Sequence, residues 1–167
     1  MTRQRVAVFY SNDYLTGVVS EVFKENSNFE LVLSSPEKTD LLTKIKKYRI
    51  DLVLFEITEE ISKNSLDLIR KLKIQRVKTD IIVMAPISLE GGTLALRAID
   101  FGAADFVALP LLGDDSTRAR IFKRRLDLVL VSYLRKKRDA QDNEILAVDP
   151  ALLREISKEV LEVKSRP

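Results

Sequence analysis

Five short apolar runs, each followed by a stretch of helical periodicity, constrain this chain more than any other feature. Val6 to Tyr10 (VAVFY), Phe29 to Leu33 (FELVL), Asp51 to Phe55 (DLVLF), Ile81 to Met84 (IIVM) and Asp105 to Ala108 (DFVA) are rich in β-branched and aromatic residues. They read as strands. Between them, apolar residues recur three and four apart. Leu15, Val18, Val19, Val22 and Phe23 mark a first helix, and Leu41, Leu42 and Ile45 a second. Leu66, Ile69 and Leu72 mark a third, and Leu94, Ala98 and Phe101 a fourth, which Gly102 stops. Ser35-Pro36-Glu37 is expected to open the second helix, with serine as its cap. The strands are apolar on both faces, as a parallel sheet covered by helices requires. Right-handed crossovers then favour an α/β doubly wound sheet.

A fifth, long helix is expected from about Ser116 to Arg138, making residues 1–138 one domain with an extended last helix. Residues 139–167 are expected to form a polar linker and a short terminal helix capped by Asp149-Pro150. The 167 residues suit one domain with a tail, and a hydrophobic fraction of 46% fills a sizeable core. No cysteine and no histidine is present. Thiolate chemistry is therefore excluded, together with the commonest general base and zinc ligand. The N-terminus lacks the apolar core of a signal peptide, and no window approaches the length of a membrane span, so a cytoplasmic protein is expected. A net charge of +3 is too weak to imply a nucleic-acid partner.

In doubly wound sheets the functional site lies at the carboxyl ends of the strands. That directs attention to Tyr10, Ser11, Asn12, Asp13, Glu56, Ala85 and Leu109. Gly91-Gly92 is no nucleotide loop, because no lysine-serine or lysine-threonine pair follows a glycine-rich turn. The pair is expected to relax the start of the fourth helix.

The stretch Thr93 to Pro110 (TLALRAIDFGAADFVALP) resembles the receiver half of chemotaxis protein-glutamate methylesterases, with the IIVM and DLVL runs before it. The resemblance covers roughly residues 4 to 135. It implies a five-stranded flavodoxin-like receiver sheet in the order 2-1-3-4-5. It also implies a phosphoryl-accepting aspartate at the end of strand three and acidic residues after strand one that hold magnesium. A hydroxyl ending strand four and a lysine ending strand five would grip the phosphoryl oxygens.

This chain departs from the pattern at every one of those places. Glu56 stands at the acceptor position, Tyr10-Ser11 at the acidic pair, Ala85 at the hydroxyl and Leu109 at the lysine. No catalytic residue, metal or cofactor is expected, and no polar reason for a pocket remains. Glu56 is read as a solvated carboxylate at a strand end rather than a fixed phosphoryl mimic. Its replacement by glutamine is expected to cost no more than about 1 kcal/mol. Asp13 is read as a helix cap rather than a displaced metal ligand, and Glu59 and Glu60 as an exposed acidic loop. Phe106 matches the family's switching aromatic, though with the hydroxyl gone a static aromatic is favoured. The Leu109-Pro110 bond is expected to be cis, as the family's lysine-proline bond usually is.

On the long helix, Phe122, Leu126, Val129 and Tyr133 form an apolar stripe that needs a cover, either the terminal helix or a second copy of the chain. Its arginines and lysines are read as a solvated or partner-binding face rather than a nucleic-acid face. The expected function is a phosphorylation-independent pseudo-receiver, not an enzyme. It would act through protein contacts and homodimerise by the face of the fourth and fifth helices. The main alternative is the regulatory half of a methylesterase-like protein. A small flavodoxin-like enzyme ranks below both, since SNDYLTG offers few glycines for a phosphate loop.

Overall fold

The computed structural model describes residues 2–37, 39–58, 62–86 and 88–148, together with Ala151, Arg154, Glu155 and Lys158. Five strands, β1 (Gln4–Phe9), β2 (Phe29–Ser35), β3 (Leu52–Glu56), β4 (Asp80–Pro86) and β5 (Asp105–Leu109), alternate with five helices. These are α1 (Tyr14–Glu25), α2 (Leu41–Tyr48), α3 (Ser62–Ile74), α4 (Leu89–Phe101) and α5 (Asp115–Val148). The sheet is wholly parallel in the order β2-β1-β3-β4-β5, as expected. A one-residue register shift interrupts the β1–β2 pairing between Val6 and Ala7.

Side chains alternate across the sheet. On one face Ala7, Phe9, Val53, Phe55, Ile81 and Val83 form a core with Leu41 and Ile45 of α2, Leu66, Ile69 and Leu72 of α3, and Leu94 and Ala98 of α4. The alternate residues Val6, Val8, Leu52, Leu54, Ile82 and Met84 are wholly buried on the other face. There α1 contributes Leu15, Val18, Val19, Val22 and Phe23, and the first part of α5 contributes Phe122 and Leu126. Lys123 of α5 bridges Glu21 and Glu25 of α1, 3.0 Å from each. All five residues of β3 are buried, which explains why this run shows no polar alternation.

The chain divides into two units, Met1–Val129 and Leu130–Pro167. The first holds the whole sheet. The boundary expected at residue 138 is not a break in secondary structure, because α5 continues through Val148. No glycine or proline occurs between Asp115 and Val148, so nothing in the backbone stops the helix. The expected terminal helix from Pro150 lies largely outside the described residues. Among the described residues no helix is long and apolar enough to cross a membrane.

Two further expectations are corrected, and the cover of the α5 stripe is located. The second helix does not open at Ser35-Pro36. Ser35 is still paired to Phe9 in the sheet, and its hydroxyl accepts from the Glu37 amide instead of capping a helix. The helix begins at Leu41, after Asp40 in a left-handed conformation (φ 55°). The stripe on α5 is largely covered within the chain. Phe122 and Leu126 are fully buried and Tyr133 nearly so within a single chain, with Val129 half-buried. Among the described residues of α5, Leu128 and Val131 are exposed apolar side chains. Every peptide bond among the described residues is trans, including Leu109-Pro110. A prolyl bond is trans by default unless its surroundings demand otherwise. Leu109 has no polar head to aim into the pocket and is simply buried.

Candidate functional site

Glu56 ends β3 at the carboxyl edge of the sheet, and it is not the solvated carboxylate expected from the sequence. Its residue is only 4% exposed. The β1–α1 turn wraps its carboxylate. The Ser11 amide donates to Oε2 at 2.9 Å and the Ser11 hydroxyl donates to the same oxygen at 3.1 Å. The Asn12 side-chain amide donates to Oε1. A buried carboxylate needs such partners, because losing water without them costs several kcal/mol. The extra methylene of glutamate carries the charge far enough past the strand end to meet this turn.

The neighbouring positions follow. Tyr10 turns away from Glu56, and its phenol oxygen accepts from the Ser34 hydroxyl at 3.0 Å. Asp13 is exposed at the N-cap of α1, but its side chain makes no capping bond. Ala85 and Leu109 are buried apolar side chains at the ends of β4 and β5. Phe106 points outward from β5 and is 38% exposed. The structure therefore brings Ser11, Asn12, Glu56 and Leu109 to one site, and leaves Asp13 and Phe106 outside it. Glu59 and Glu60 lie outside the described residues.

Contrary to expectation, a cavity of about 740 Å³ stands at this edge of the sheet. It is lined by Ser11, Asn12 and Glu56, by Asn64 and Ser65 of α3, and by Pro86, Pro110 and Leu111. Two residues that the sequence did not assign to this edge also line the cavity, Arg118 having been read only as part of the basic face of the long helix. Tyr14 opens α1, and Arg118 lies in the first turns of α5. The Arg118 guanidinium sits 4.7 Å over the Tyr14 ring and pairs with Asp115. Burial pushes the Tyr14 phenol above its ordinary pKa. Arg118 opposes that shift, while the charges of Glu56 and Asp115 add to it. Position relative to the strands was the available signal, since any residue in the first turn after a strand falls at this edge.

Gly91 sets the approach of α4 to the site. A Cβ there would stand 1.9 Å from the Pro86 carbonyl oxygen, so only glycine lets the helix start this close to β4. Its amide donates to the Ser88 hydroxyl, which caps the helix. Gly92 faces open space. The expected relaxation of the helix start is thus a close contact at one glycine of the pair.

No protein-family model matches the chain. Over 113 residues it is 26% identical to the protein-glutamate methylesterase/protein-glutamine glutaminase of Enterobacter cloacae, covering 68% of this chain and 32% of that protein. The chain thus spans about a third of the length of the curated relatives it matches. Its fold is that of the receiver. The response regulator domain of Thermotoga maritima CheB superposes with a TM-score of 0.57 at 18% identity, over 89% of this chain and 99% of that one. A chain of the complex between the P1 domain of CheA3 and CheY6 from R. sphaeroides superposes with a TM-score of 0.51 at 18% identity, over 76% and 99%.

Proposed function

We propose that this chain is a non-catalytic signalling module on a receiver scaffold, working through protein contacts and without phosphorylation in a chemotaxis or two-component pathway of the cytoplasm. One observation carries the proposal. The carboxylate at the end of β3 belongs to glutamate, and it is buried under three hydrogen bonds from Ser11 and Asn12. A phosphoryl acceptor must present a carboxylate oxygen to an incoming phosphorus, and here both oxygens are already engaged.

Magnesium does not fit the donor set. It prefers hard oxygen ligands in octahedral array, usually with one or two carboxylates. The β1–α1 turn offers a hydroxyl and an amide turned towards Glu56, and among the described residues no three carboxylates gather. The lysine position is buried Leu109, and the hydroxyl position is buried Ala85. Protein partners are favoured by the exposed apolar side chains Leu96 of α4, Phe106 of β5 and Leu128 of α5. They would join in a homodimer through the α4–β5–α5 face. The P1–CheY6 complex is a precedent for such a fold meeting a protein partner.

Incubation with acetyl phosphate and magnesium is expected to leave the intact mass unchanged. A mass gain of one phosphoryl group would refute the proposal. Leu128→Lys with Phe106→Ser is expected to lower the scattering mass towards that of one chain across a concentration series. An unchanged series would remove the homodimer. A second reading is favoured by the share of the relatives covered: the regulatory half of a methylesterase-like protein. A native reading frame continuing into a hydrolase would decide for it.

A further inference from the structure

We propose that the cavity at the carboxyl edge of the sheet is a binding site for a small organic carboxylate, held by Arg118 and seated on the apolar wall beside it. This rests on the reading above, in which the pocket performs no phosphoryl chemistry. The cavity, at about 740 Å³, has the size of a small-molecule site rather than a seat for a single inorganic ion.

Its chemistry is divided. Glu56 lies on one side with its hydrogen bonds turned to the β1–α1 turn. Arg118 is the sole cation among the described residues that line the cavity. The guanidinium is oriented from two directions, by the Tyr14 ring beneath it and by Asp115 at one nitrogen, Nη2. Its Nε is buried without a hydrogen-bond partner, and Nη1 makes no hydrogen bond to the described residues. The end of the guanidinium, Nη1 with the second N–H of Nη2, is the edge left to meet a carboxylate.

Leu68, Pro86, Leu109, Pro110 and Leu111 add apolar carbon to the lining. A carbon skeleton covers that surface favourably, whereas inorganic phosphate would leave it wet. Arg118 already shares its charge with Asp115, so the site suits a monoanion at most. A dianion would meet the Glu56 charge in the same cavity with no second cation from the described lining. Asp115 competes for the guanidinium, which sets the direction of one test. Occupancy of this site would reach α3, the end of β4 and the β5–α5 loop, all of which contribute to its walls.

The test titrates 3-phenylpropionate into the full chain labelled with 15N, following the amides of Ser11, Asn12 and Leu111 and the Arg118 side-chain resonance. 3-Phenylpropanamide and inorganic phosphate serve as parallel probes. Saturable shifts are expected with a dissociation constant of roughly 1–10 mM for a probe of this size. Arg118→Gln is expected to weaken binding about tenfold. Asp115→Asn, which frees the guanidinium, is expected to tighten it. No saturation by the carboxylate, equal binding of the amide or of phosphate, or unchanged affinity in Arg118→Gln would each overturn the site. A phosphoryl group appearing on the same sample after acetyl phosphate would instead overturn the reading on which the site rests. An unchanged mass with no carboxylate binding would overturn only the site.

Discussion

Replacing Glu56 by glutamine removes a charge without changing shape. Three donors converge on that carboxylate: the Ser11 amide, the Ser11 hydroxyl and the Asn12 amide. A hydrogen bond to a charged group contributes about 1.5–3 kcal/mol, against about 0.5–1.5 kcal/mol between neutral groups. Glutamine keeps one acceptor oxygen. Facing Ser11, it retains two bonds as neutral ones and turns its own amide nitrogen towards Asn12. The Asn12 amide must then rotate or lose its partner. Each bond weakened from charged to neutral forfeits about 1 kcal/mol, and the neutral amide recovers part of that through its smaller desolvation cost. The expected net loss is about 2 kcal/mol. In a chain of this length that lowers the melting temperature by about 4–8 °C. Urea unfolding of wild type, Glu56→Gln, Ser11→Ala and the double variant forms a cycle, in which a coupling of about 1 kcal/mol is expected. A Glu56→Gln loss below about 0.5 kcal/mol, as for an exposed carboxylate, would refute the reasoning.

Gly91→Ala is expected to destabilise by about 2–3 kcal/mol, since a Cβ would press on the Pro86 carbonyl and push α4 from β4. Gly92→Ala, with open space around it, is expected to stabilise by about 0.5–1 kcal/mol through helix propensity; equal effects in thermal melts would contradict the close contact. Tyr14, its pKa raised by burial, is expected to ionise later than exposed tyrosines when absorbance near 295 nm is followed upward in pH. Because its folded pKa lies above the unfolded value of about 10, its stabilising contribution is complete below that value. It is lost as pH rises from there through the folded pKa. Tyr14→Phe should abolish the late phase and flatten the alkaline loss of stability, and an unchanged alkaline profile would count against it.

The α/β class and the five strands were legible in the residues because period and composition are local properties. DLVLF and IIVM admit no polar alternation, and a strand buried on both faces reads that way in isolation. The helix faces of α1, α3 and α4 were legible for the same reason. The sequence also determined that Glu56, Tyr10, Ser11, Ala85 and Leu109 fall at the carboxyl edge, since chain position relative to a strand end sets that alone. What those residues do there depends on distance across the sheet, which no local pattern encodes. Ser11 and Glu56 are 45 positions apart, yet their hydrogen bonds turn an expected surface charge into a buried one. Arg118 and Tyr14 are likewise brought together only when α5 packs beside α1. The apolar stripe of α5 shows the same limit: its pattern revealed that a cover was required, and folding decided that Phe122 and Leu126 find theirs inside one chain. Burial and hydrogen bonding are sums over neighbours in space, and those neighbours exist only once the sheet has closed.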